Sequence, residues 1–136
     1  MAATVTVEFQ ERKRLLFSAR GRSVVNVRQE LDDGPIGFSS AELMLIAVGN
    51  CSLGTLLSHP LLAQETVRSV NATLSAEFAK DPPRIVAIRS IVDLAVENIA
   101  LADRVAELEA IAASSPMCNS LSAHVSVELR IVNGCA

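Results

Sequence analysis

Three cysteines, two histidines and a group of arginines are the residues in this chain best equipped for chemistry. A thiolate is both a nucleophile and a two-electron reductant, so a cysteine beside a cation reads as a redox or nucleophilic centre. Cys51 lies well inside the apolar stretch SSAELMLIAVGNCSLGTLL, residues 39–57. At that depth in a helix the N-terminal dipole does not reach it, and activation requires a neighbouring cation, for which Arg20, Arg22 and Arg28 stand just upstream. Cys118 follows Ser115-Pro116, a helix-start pair, so it falls in a first turn where free amide dipoles favour a thiolate. The competing reading of both thiols is a small, inert core residue. Cys135 reads as an exposed tail thiol. His59 and His124 have no cysteine or carboxylate at ligand spacing, so no metal site is expected. The sequence carries no G-x-G-x-x-G, no P-loop and no G-x-S-x-G, so no cofactor is expected either.

The elements that must hold these residues follow from periodicity. In 39–57, Leu43, Ala47, Asn50, Gly54 and Leu57 recur at helical spacing while Met44, Leu45, Ile46 and Val48 fill the other faces. A helix apolar nearly all round requires burial on nearly all sides. Ser39 and Glu42 form an S-x-x-E capping box, and Pro60 stops the helix beyond Ser58. Glu42, Asn50, Ser52 and two glycines argue against a membrane span. Upstream, strands are expected at Thr4–Phe9, Leu15–Ala19 and Ser23–Arg28, followed by the breaker loop LDDGPIGF. Downstream, a short apolar turn (61–64) leads to a strand with Val70, Ala72, Leu74, Ala76 and Phe78 on one face. Asp81-Pro82-Pro83 turns the chain into a second strand, 84–96. A helix with Leu101, Val105, Leu108 and Ile111 inward follows over 99–114, then the Ser115 start, a last strand at 124–132 and a tail. This order is an α+β arrangement in one domain, 1–136.

Half of the 136 residues are hydrophobic and mean hydropathy is +0.37. One small domain would struggle to hide that much apolar surface, which argues for an oligomer. A net charge of −3 and a pI near 5.3 remove the footprint of a nucleic-acid binder. The N-terminus MAATVTVEFQ has no basic region followed by an apolar core, so a cytoplasmic location is expected. In that compartment the cysteines are expected to be reduced thiols or a transient catalytic pair.

Three segments together resemble the OsmC/Ohr family, the osmotically inducible protein C and organic hydroperoxide resistance proteins. SSAELMLIAVGNC (39–51) is similar to the family's S-P-M-E-L-L-L-A-A-L-G-G-C, Pro82-Pro83-Arg84-Ile85 to its P-P-R-I turn, and SPMCNSL (115–121) to its C-P-V-S-x-x-L. The resemblance covers nearly the whole chain. It implies two antiparallel sheet portions around a central buried helix, in an intertwined homodimer whose central helices pack together. Gly49 and Gly54 would permit their close approach.

The resemblance also implies chemistry. Active members are thiol peroxidases for organic hydroperoxides: a helix cysteine attacks the peroxide, forms a sulfenic acid and condenses with a second cysteine, and an external dithiol restores both. An arginine held by a glutamate lowers the thiol pKa. Cys51 matches the attacking cysteine. Arg28, at the end of the third strand, is the choice for the cation, with Arg22 as runner-up. Ala41 stands where the best-characterised members have the arginine-holding glutamate. Glu42, nine residues before Cys51 and half a turn away round the helix, is better assigned to capping. Ser115 occupies the second cysteine's position, and Cys118, three residues on, is the possible substitute. The expected function is therefore reduction of small organic hydroperoxides. The alternative is a dimer without activity that binds an apolar small molecule at its interface.

Overall fold

The computed structural model describes residues 2–10, 14–27 and 37–132. The chain separates into two units, residues 1–43 and 44–136. In the first, β1 (Thr6–Phe9), β2 (Arg14–Ala19) and β3 (Arg22–Val27) form an antiparallel sheet in the order β1-β2-β3. Ala19 pairs with Arg22 across a two-residue turn in which Arg20 and Gly21 both have positive φ, 51° and 77°. That is the primed hairpin geometry whose twist matches the strands, and glycine adopts it without strain. Val7, Phe9, Val24 and Val25 remain exposed on this sheet.

Two devices fix the chain ahead of the long helix. The buried Asn26 side chain donates to the Phe38 carbonyl (2.9 Å) and accepts the Phe38 N–H (2.7 Å), imitating a strand pair. A Cβ on Gly37 would lie 2.5 Å from the Val27 carbonyl oxygen, so only glycine fits there. The expected capping box is present. The Ser39 N–H bonds Glu42 Oε1 at 2.8 Å, and the Glu42 N–H bonds Ser39 Oγ at 3.1 Å.

The helix α1 (Ser40–Ser58) runs into the second unit, followed by α2 (Pro60–Ala63), β4 (Val67–Ala79), β5 (Arg84–Val96), a 3-10 turn (Ile99–Arg104), α3 (Val105–Ala113), α4 (Pro116–Ser120) and β6 (His124–Ile131). β4 and β5 are the expected hairpin. Its Lys80–Pro83 turn is closed by Arg84 Nη1, which donates to the Lys80 and Pro82 carbonyls. A core of Leu56, Leu62, Val92, Leu94, Leu108 and Leu129 fills the space between this sheet and the helices. The opposite sheet face carries solvated ion pairs, Arg89–Glu128 and Arg130–Asp93.

The α+β expectation holds, and several details differ from the sequence reading for identifiable reasons. β6 joins β5 in parallel, not antiparallel, because the helical connection carries the chain back across the unit before the strand begins. Phe78 is 64% exposed because the register shifts between Glu77 and Phe78 and turns it off the inward face. The helix expected over 99–114 is two pieces. Asn98 caps the first through the Ala100 N–H, and Leu101 and Leu108 are buried from the two pieces. The apolar turn expected over 61–64 is a short helix over 60–63, started by Pro60 and capped by His59 Nδ1, which accepts the Leu61 N–H. Finally, α1 is buried on one face only, at Val48, Gly49, Ser52 and Leu56, while Met44, Ile46, Ala47, Asn50 and Gly54 are exposed. By length and composition α1 would suffice to cross a bilayer, but Val48, Ser52 and Leu56 make it a packing element of the second unit.

Candidate functional site

The three segments that carry the sequence resemblance meet in one apolar cluster. Val48, Ile88 and Cys118 are its buried centre, with Leu45, Leu74, Ala76, Ile85, Leu121 and Val125 packed against them. Leu45 and Val48 come from α1, Ile85 and Ile88 from the start of β5, and Cys118 and Leu121 from α4 and its end. α4 forms because Ser115 caps it and Pro116 supplies its first residue. The Ser115 hydroxyl oxygen accepts the Cys118 N–H at 3.4 Å.

Beside the cluster lies a buried polar node. Ser52 Oγ donates to the Ala112 carbonyl at 2.8 Å, and Cys118 Sγ is 3.9 Å from the same oxygen. Ser115 Oγ donates to Cys118 Sγ at 3.1 Å. Ser52, Ser115 and Cys118 are 3%, 0% and 9% exposed. The Ala112 carbonyl belongs to the last turn of α3, where helix carbonyls lack an intrahelical partner, so the node ties α1 to the end of α3 and the start of α4. Ser52 was not singled out by the sequence reading. Its signal was a lone hydroxyl on the Val48–Ser52–Leu56 face, four residues from a buried neighbour on either side.

Cys51 and Cys118 are both free thiols, but their surroundings differ. Cys51 is half-buried on the flank of α1, at the border of its exposed face, and its thiol makes no hydrogen bond among the described residues. Cys118 sits at the centre of the cluster. Arg28, the expected cation, and Cys135 lie outside the described residues. The runner-up, Arg22, is exposed at the start of β3 in the first unit. Glu42 is occupied by its capping bonds and Ala41 provides no carboxylate. His59 is a helix cap and His124 starts β6 in an exposed position. Among the described residues, no three His, Cys, Asp or Glu side chains are grouped to hold a metal.

The family model for OsmC-like proteins matches residues 31–130. The chain belongs to the OsmC-like family. Solved structures agree on the fold of this OsmC-like chain. An OsmC-like protein from Mycoplasma pneumoniae superposes with a TM-score of 0.80 at 12% identity, covering 98% of this chain and 99% of that one. An OsmC-like protein of unknown function from Vibrio cholerae gives 0.78 at 11% identity over 97% and 99%. The organic hydroperoxide resistance protein OhrB of Bacillus subtilis gives 0.61 at 13% identity over 97% and 98%. No curated protein matches the sequence.

Proposed function

We propose that this OsmC-like protein is a thiol peroxidase for small organic hydroperoxides, working in the cytoplasm as a homodimer with Cys51 as the attacking residue. The observation that carries the reading is the state of Cys51, a free, half-exposed thiol at the cysteine position of the α1 motif. Family membership, and similarity to structures named as organic hydroperoxide resistance proteins, support it. In the reaction the Cys51 thiolate attacks one peroxide oxygen. The S–O bond forms as the O–O bond breaks, and the alkoxide leaves and takes a proton to become the alcohol. Sulfur is oxidised by two electrons to the sulfenic acid and the peroxide is reduced by the same two.

Unsatisfied apolar surface supports the dimer. α1 leaves Met44 41% and Ile46 48% exposed beside Ala47 and Gly54, and the β1-β2-β3 sheet leaves Val7 and Phe9 60% and 71% exposed. A second copy covering Met44, Ile46, Val7 and Phe9 would bury apolar surface that the single chain leaves to solvent.

A second reading, an apolar-ligand-binding dimer without peroxidase activity, is favoured by Ala41 and by Ser115, which acts here as a helix cap. Adding cumene hydroperoxide to the reduced protein separates the two. Stoichiometric peroxide loss in the wild type and none in Cys51→Ser supports the peroxidase. An unmodified Cys51 with peroxide unconsumed removes it in favour of the binding protein.

A further inference from the structure

We infer that the oxidised form of Cys51 is resolved by an external thiol and not by Cys118, which is a structural residue of the cluster. The inference rests on the peroxidase reading and adds how its cycle closes. Every polar capacity of Cys118 is already used inside the protein. Its amide donates to Ser115 Oγ, its sulfur accepts from that hydroxyl, and its S–H points to the Ala112 carbonyl. Its side chain is 9% exposed and packs with Val48 and Ile88.

The facing side chain on α1 is Ser52, which shares the Ala112 oxygen with Cys118. Each residue turns an α-helix by roughly 100°, so the Cys51 side chain leaves α1 about a quarter-turn away from Ser52, toward the exposed border. A disulfide needs Cβ atoms within about 4.5 Å and pointing at each other. To reach Cys51, the Cys118 side chain would have to turn out of its cluster and give up both the Ser115 hydroxyl and the Ala112 carbonyl. Ser115, at the position where the resemblance implies a second cysteine, has no sulfur to offer.

The half-exposed Cys51 is instead open to a thiol from solution. The incoming thiolate attacks the Cys51 sulfur of the sulfenic acid, forming an S–S bond as the S–O bond breaks, and hydroxide leaves as water with the thiol's proton. A second thiol equivalent attacks the mixed disulfide, releasing the Cys51 thiolate and an external disulfide. The sum is hydroperoxide plus two thiols giving alcohol, water and one disulfide.

Peptide mass mapping tests the inference in two arms on the full chain. In the first, reduced protein receives one equivalent of cumene hydroperoxide and then 2-mercaptoethanol. The expected products are a sulfenic acid on Cys51, trapped by dimedone, and a Cys51–mercaptoethanol mixed disulfide, both absent in Cys51→Ser. A disulfide from Cys51 to Cys118 or Cys135 of either copy overturns the inference while leaving the peroxidase intact. An unmodified Cys51 removes the peroxidase reading and the inference with it. In the second arm, native protein is treated with diamide and separately with iodoacetamide. No 51–118 disulfide, and alkylation of Cys118 at least about tenfold slower than that of Cys51, support the inference. A 51–118 disulfide, or equal reactivity, overturns it.

Discussion

Replacing Ser52 by alanine isolates the polar node from the rest of the core. The hydroxyl donates to the Ala112 carbonyl at 2.8 Å, and both residues are buried, at 3% and 0% exposure. Without it, that oxygen keeps, among the described residues, only the Cys118 S–H, a weak donor at 3.9 Å. Leaving a buried carbonyl short of its partner costs about 1–3 kcal/mol. Alanine returns roughly 0.5 kcal/mol through its better helix propensity. The net expectation is a loss of about 1–2 kcal/mol, or roughly 3–8 °C in Tm for a chain of this length.

Ser58→Ala is the internal control for that measurement. Its hydroxyl donates to the Gly54 carbonyl at an equal 2.8 Å in the same helix, but in the open, where water replaces it. It should change stability by less than about 0.5 kcal/mol. Urea unfolding of both variants at one fixed protomer concentration is the assay, since association would otherwise shift the midpoint. If Ser52→Ala loses no more than Ser58→Ala, the node does not tie α1 to α3 as described.

Five further outcomes are expected. Asn26→Ala removes both bonds to Phe38 and should cost about 2–3 kcal/mol in urea unfolding. Gly37→Ala should cost about 2 kcal/mol or more, because the new Cβ meets backbone at 2.5 Å. Gly49→Ala should be near neutral by the same assay, because its Cβ meets only the end of Leu74 at 3.0 Å and gains about 1 kcal/mol of helix propensity. Gly54→Leu, at a position with nothing within 4 Å in one chain, should weaken the proposed dimer at least about tenfold by sedimentation equilibrium. An unchanged dissociation constant would take α1 out of the interface. Glu107→Gln should show a pH signature. The Arg104 side chain donates to Glu107 and holds its pKa below the ordinary value, so the pair's contribution is present above that value and lost as pH falls through the lowered one. The small Tm gap between wild type and variant should therefore be present at pH 7 and close on acidification.

Much of this architecture was legible because it is local. The capping box at Ser39 and Glu42, the Ser115-Pro116 start and the β4–β5 hairpin are decided within a few residues, and the structure contains each of them. What escaped was decided by distant parts of the chain. The exposure of Phe78 depends on a register shift against β5, and the parallel pairing of β6 depends on where the helical connection returns the chain. Asn26 reads as an ordinary strand residue until Phe38 is brought beside it. For the site, Cys51 and Cys118 were identifiable as thiols of interest from type and position. Their unequal surroundings were not, because burial of Cys118 depends on Val48 and Ile88 arriving from two other elements.

The convergence of the three motif segments bears on what such a pattern encodes. Leu45 and Val48, Ile85, and Cys118 and Leu121 supply more than half of one apolar cluster, and Arg84 of the middle segment closes the hairpin turn. These positions specify packing, and they would do so whether or not the protein turned over a peroxide. Cys51 is different. It lies outside that cluster, makes no hydrogen bond among the described residues and sits at the edge of the exposed face of α1, so no packing requirement in the single chain accounts for it. Inertness would be cheap to obtain there with alanine or serine. The case for chemistry therefore rests on one thiol that packing within the single chain does not require, and on Ser52 beside it, which ties the helix carrying that thiol to α3.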